Sequence, residues 1–374
     1  MIESLLIYIT IALSSVCLVV HDYRKYQMHN AEICLQNTRR KISYITIVVI
    51  VILFSLYNMY VTIHSPNYGG DRINYVAYYN GVKSLEESAL VYVINFFNNM
   101  GLDYKVLFYF TTFFLVSCLL IAYKISVDAL PSAFMFIVVS QYILISFTAL
   151  KQTYAIAFAT LFFALVLTYG NARISIWEIV MIVLAILFHP SAFLLILIYI
   201  MIKMRKNTQR LAILFLCLIV ITIFMEPIMI KAASFLNPII PGLAAKISSY
   251  FGSARTVIRE SSSFAILKGT SLFFIAIYGS LKRKYLVNKI RNYDNYLILS
   301  WIAAFCYIMG VYNQWLSRAV YLFIFPVYIF WGLLLRYVRI PTNKFFYYCI
   351  TFAFTALVTY REIALVYINW GGAW

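Results

Sequence analysis

Residues 176–202 read IWEIVMIVLAILFHPSAFLLILIYIMI, an almost unbroken apolar run with a His-Pro pair, His189-Pro190, at its centre. At about 1.5 Å per residue, one continuous helix of this length would reach about 40 Å, longer than a hydrocarbon core of roughly 30 Å; two complete crossings would need about 40 residues. Pro190 lacks a backbone donor and biases the residue before it away from helix, so a break is expected at His189. Arg173 before the run, and Lys203, Arg205, Lys206 and Arg210 after it, both argue for the cytoplasmic side. The stretch therefore reads as a broken helical hairpin that rises from the inner face, turns and returns. His189 then sits at depth, where irregular backbone is tolerated only beside protein or a water-filled cavity.

The rest of the chain has the same character. Of its 374 residues 64% are hydrophobic and only 11% charged, and the mean hydropathy of +0.86 excludes a soluble globular domain. Apolar runs near 4–20, 42–62, 106–123, 130–149, 153–169, 176–188, 191–202, 211–225, 264–281, 296–312, 319–335 and 345–360 predict an all-α, polytopic membrane protein of about twelve helical segments, GT-C-like, in one domain over 1–374. The run Leu5 to Val20 has no basic stretch before it and no small-residue cleavage site after it, so it reads as a retained helix. A net charge of +17 would point to nucleic acid in a soluble protein. Here most Lys and Arg fall in the short loops 21–41, 124–128, 171–175, 203–210, 282–294 and 336–344, which places those loops inside and both termini outside. No nucleic-acid partner is expected, and the remaining charge suits membrane-lipid headgroups. Five of the six cysteines lie in apolar spans without metal-ligand spacing and read as core residues.

Two long segments, 63–105 and 226–263, remain on the outer face, too polar to span and too long for simple turns. The first carries several tyrosines, and Leu90 to Met100 within it suits an amphipathic interfacial helix. In the second, Pro227, Pro238, Pro241 and Gly242 interrupt the chain. Tyrosine faces and amides on such loops suit sugar rings and hydroxyls, although tyrosines also mark the aromatic belt of any membrane protein.

Thirteen acids serve the whole chain, with no DxD, Walker A or dinucleotide fingerprint. Metal-dependent phosphoryl or glycosyl chemistry wants clustered carboxylates, so a site with no metal and no cofactor, built from protein cations, is expected. Asp71, following two glycines, is a candidate general base or sugar ligand, or a helix cap. Lys151 opens a span on the outer side, against the inside preference for cations, and either snorkels to headgroups or binds an anion. His189 can accept a proton or donate one to an oxyanion, against the plainer reading of a satisfied core histidine. Arg318 can present a planar fork to phosphate or merely anchor the helix at the interface. With Arg72, Arg255, Arg259 and Arg361, these cations all fall on the outer face, where positive charge is normally sparse. That bias points to a polyanionic ligand such as a lipid-linked diphosphate.

Gly69-Gly70-Asp71-Arg72-Ile73-Asn74-Tyr75 after the second span, Lys151-Gln152, Phe188-His189-Pro190-Ser191-Ala192 in the broken helix, and Arg318 with Tyr321 together resemble the EpsG branch of Wzy-type polysaccharide polymerases, over roughly residues 40–335. The family pattern commonly has Arg-Gln where this chain has Lys151-Gln152; charge is kept but the bidentate fork is lost. The resemblance implies transfer of a growing glycan from undecaprenyl diphosphate onto a sugar hydroxyl of the next lipid-linked oligosaccharide, at the outer face of the bacterial cytoplasmic membrane, giving O-antigen, capsule or exopolysaccharide. On that chemistry Lys151 and Arg318, assisted by Arg72 or by Arg255 and Arg259 of the second loop, are expected to neutralise the donor diphosphate, Asp71 or His189 to activate the acceptor hydroxyl, Tyr75, Gln152 and Tyr321 to contact the substrate, and a chain-length regulator to be a partner.

Three rival classes share some of these features. A lipid-linked oligosaccharide flippase needs spans and cations, but such transporters usually show related halves, and none are legible here. A membrane O-acyltransferase is expected to keep a catalytic His with an upstream Arg near its first span, whereas His21 and His29 fall in the inside loop. An O-antigen ligase differs chiefly in its acceptor.

Overall fold

The computed structural model describes residues 70–82, 89–126, 149–170, 175–203, 230–238, 263–310 and 314–337, with scattered helical positions within 48–59, 142–146 and 241–248 and at 349. Every regular element among the described residues is helical. In chain order these are α1 (Gly70–Tyr79), α2 (Ala89–Asn99), α3 (Tyr104–Ser126), α4 (Leu150–Tyr169), α5 (Ile176–Phe188), a 3-10 turn (Pro190–Phe193), α6 (Leu194–Lys203), α7 (Ser263–Leu286), α8 (Tyr293–Met309) and α9 (Gln314–Arg336). Among them, α3, α4 and the Arg318–Arg336 part of α9 are long and apolar enough to cross a membrane. With the composition, they make this a membrane-embedded protein. The segments expected at 4–20, 211–225 and 345–360, and most of 42–62 and 130–149, lie outside the described residues.

α4, and α9 between Ala319 and Leu335, form the centre because they are apolar on nearly every side, and a helix of that kind is stable only when surrounded. In α4 the small side chains Ala155, Ala157, Ala159 and Ala164 are all fully buried, which lets neighbours approach closely. α3 and α5 pack against α4, α8 packs against α9, and α4 and α9 meet each other. Phe163 of α4 and Phe323 of α9 lie with ring centroids 5.8 Å apart. α7 comes close to α9 at Gly279, where an added Cβ would stand 2.7 Å from the Phe330 ring. α3, by contrast, buries Leu115, Leu119 and Ala122 and leaves Phe110, Phe113 and Ile121 exposed, the pattern of a helix with one lipid-facing side.

The broken hairpin forms as the sequence predicts. α5 ends at Phe188, His189 is extended (φ −150°, ψ 128°), and Pro190 starts the 3-10 turn that leads into α6. With 13 residues, α5 rises about 20 Å, short of a full crossing. The two ends of the hairpin lie together. Lys203, at the end of α6, sits 3.0 Å from Glu178 Oε2 near the start of α5 and donates to the Gly170 carbonyl at the end of α4 at 2.9 Å. Glu178, with no exposed side-chain surface, also accepts from the Ser175 N–H at 3.2 Å. Gly170 itself has φ +67°, and a Cβ there would meet Asn292, whose Nδ2 donates to Leu167 O at 2.6 Å. One polar latch therefore ties α4, α5, α6 and the start of α8.

The segment 63–105 includes α1 and α2. α2 turns Leu90, Ile94 and Phe97 inward and leaves Tyr92 and Phe96 exposed, as expected of the amphipathic stretch within it. In the second long segment, residues 230–236 are helical and give way to a turn at Asn237-Pro238.

Breaking a buried ion pair strands a charge, whereas an exposed pair contributes little. Lys203→Met is expected to lower stability by about 3 kcal/mol. Removing Arg283, half-exposed on Asp294, should cost under about 1 kcal/mol. Thermal unfolding in detergent compares the two, and equal shifts would show that the Glu178–Lys203 contact does not hold the hairpin.

Candidate functional site

The backbone at the break is satisfied by its own neighbours. His189 N–H donates to Ala185 O at 3.0 Å and its carbonyl accepts from Ala192 N–H at 3.1 Å. The imidazole acts as the cap of the 3-10 turn: Nδ1 accepts from the Ser191 N–H at 3.2 Å and lies 2.7 Å from Ser191 Oγ. His189 and Ser191 are both buried. Proline at the first position of the turn is the usual start signal, and the residue before it usually supplies the capping acceptor; here a ring nitrogen takes the place of a Ser or Asp oxygen.

Around this tip the structure brings together Lys151, Gln152 and Arg318. Lys151 and Arg318 are both near enough to act electrostatically on His189. Gln152, buried, donates through Nε2 to the Arg318 carbonyl at 2.9 Å, which fixes the first turn of α4 to that of α9. The 3-10 turn packs on α9 as well. The cations predicted from separate spans therefore share one locality with the histidine, at the end of the bundle opposite the Glu178–Lys203 latch.

α9 contains Pro326, which lacks an N–H, and beside it the Tyr142 hydroxyl accepts from the Phe325 N–H at 3.1 Å and donates to Tyr321 O at 2.9 Å. Tyr142 is buried, and its hydroxyl ties it to the part of α9 that bears Arg318 and Tyr321. The sequence does not single out Tyr142, and it names Ser191 only as part of the broken-helix motif. For Ser191 the His-Pro-Ser order was a usable capping signal, whereas for Tyr142 no local pattern exists.

The Asp71-Arg72-Tyr75 stretch occupies an adjoining cluster. Asp71 is the second residue of α1, within the helix rather than before it. Arg72 is fully buried and holds its guanidinium 4.7 Å from the centre of the Phe108 ring. Burial lowers its pKa from the ordinary value, opposed by Tyr104 and Tyr109, but an arginine keeps its charge at neutral pH. Tyr75 is buried in the same cluster with Phe108 and Tyr154. Tyr154 stacks on Phe188 at 4.7 Å, so this cluster reaches the residue before His189. Arg255, Arg259 and Arg361 lie outside the described residues.

Fold and site thus define a helical membrane protein in which Lys151 and Arg318 lie near the histidine at the tip of a broken helical hairpin. The EpsG family profile matches residues 45–369, and the chain belongs to the EpsG family. No match is found among curated proteins or solved structures. Membership associates the protein with polysaccharide biosynthesis.

Tyr142→Phe removes the hydroxyl that contacts Tyr321 O and the Phe325 N–H. Polymer formation is expected to fall about tenfold or more, on the scale of one misplaced positioning contact. Membrane protein levels should stay near those of the parent. Unchanged polymer would mean that the Tyr142 hydroxyl does not position the Arg318 segment.

Proposed function

We propose that this protein is an O-antigen or related polysaccharide polymerase, with about twelve segments in a single GT-C-like domain, working at the outer face of the bacterial cytoplasmic membrane. It transfers a growing glycan from undecaprenyl diphosphate to a sugar hydroxyl of the next lipid-linked repeat unit. The observation that carries the reading is the convergence of Lys151, Arg318 and His189. Lys151 lies in the first turn of α4 and Arg318 just past the first turn of α9. Helix N-termini already carry partial positive charge and disfavour cations, so two such residues at one place are best explained by an anionic ligand.

On this reading Lys151 and Arg318, assisted by Arg72 or by Arg255 and Arg259 of the second loop, neutralise the diphosphate as its bond to the anomeric carbon breaks. Fixed cations act strongly on developing charge in a water-poor pocket. Asp71 or His189 activates the acceptor hydroxyl, and Tyr75, Gln152 and Tyr321 contribute to the sugar-binding environment. The chemistry needs no metal or cofactor, and a chain-length regulator is a natural partner.

Arg318→Ala is expected to reach the membrane in normal amounts and to produce no long-chain glycan. A normal polymer ladder from that variant would contradict the proposal. In vesicles containing only a lipid-diphosphate repeat unit, the purified protein should lengthen chains with or without chelator. A requirement for a lipid A core acceptor would indicate a ligase, and movement of the lipid without elongation a flippase.

A further inference from the structure

The geometry at the hairpin tip assigns His189 one of the two roles left open above, and this assignment rests on the polymerase reading. A backbone N–H can only donate, so the 3.2 Å contact from Ser191 N makes Nδ1 the acceptor. Ser191 Oγ, 2.7 Å from the same nitrogen, is free to add its O–H as a second donor. A neutral imidazole with Nδ1 so occupied carries its proton on Nε2. Moving that proton to Nδ1 would place an N–H against an N–H and undo the cap of the 3-10 turn. Holding protons on both nitrogens would do the same and add a third positive charge beside Lys151 and Arg318.

We infer that His189 is a neutral hydrogen-bond donor to the diphosphate through Nε2–H, not the base that activates the acceptor, and that Ser191 is the positioning residue that holds this tautomer. During transfer, the bond from the anomeric carbon to the phosphate oxygen breaks and its electron pair passes to that oxygen. The acceptor oxygen forms the new bond to the anomeric carbon, and its proton goes to a carboxylate, Asp71 in the reading above. The Nε2 proton stays on the ring throughout. Its hydrogen bond strengthens as charge grows on the leaving oxygen, the pattern of a preorganised oxyanion donor. The chain then supplies two charged donors and one neutral donor to an anion from three separate elements.

The test is in two parts. The first needs no catalysis: His21, His29 and His64 are replaced by Gln, leaving one of the four histidines, and ring nitrogen-15 shifts are measured at neutral pH in the purified protein. A protonated Nε2 with an unprotonated Nδ1 is expected, and Ser191→Ala, which loses Oγ but keeps the backbone N–H, should shift the Nδ1 resonance while retaining the same tautomer. A protonated Nδ1 in the parent would overturn the inference whatever the protein polymerises. The second part compares His189→Gln and His189→Ala in the lipid-linked elongation assay, normalised to folded protein in the membrane. Glutamine keeps an N–H donor but cannot act as a base, so it should exceed alanine by about tenfold or more, in line with the loss of one oxyanion donor. Equal, near-complete loss in both would reject the donor role. Failure of the polymerase reading would appear separately, as a normal ladder from Arg318→Ala.

Discussion

A proline inside an apolar membrane segment frees backbone polar groups where no bulk water can reach them, and this constraint organises the protein. The break at His189-Pro190 is stable because its groups are used locally: the His189 amide and carbonyl both find backbone partners, and the side chain of the same residue takes the next N–H. Each unmet group would cost several kcal/mol in hydrocarbon. The histidine is therefore structural, with Nδ1 committed to the fold.

Glu178 and Lys203 hold the two ends of the hairpin together beside Gly170, and α5, with about 20 Å of rise, is shorter than a full crossing. At the other end, α4 and α9 bring Lys151 and Arg318 to the tip, joined by the Gln152 amide. The latch and the cationic locality lie at opposite ends of α4.

What the sequence made legible follows from the range of the physics involved. The break at His189 was readable because proline acts on its immediate neighbours. The helix around Leu90 was readable from its periodicity. The Glu178–Lys203 latch joins residues at the two ends of the hairpin, and the Tyr142 hydroxyl joins α9 to a residue far from it in the chain. No local pattern announces either contact. Arg72 stood out as a cation on the outer side, but its full burial against Phe108 depends on how α1 settles on α3, which composition does not encode.

Everything functional depends on the Lys151–Arg318–His189 locality facing the exterior. The direct measurement is labelling of single cysteines in intact cells with a membrane-impermeant thiol reagent, after replacing the six native cysteines. A cysteine at Lys151 or Arg318 should react from outside, while one at Lys284, exposed at the end of α7, should react only after the membrane is opened. Labelling of Lys284 from outside, with protection of the other two, would contradict the account.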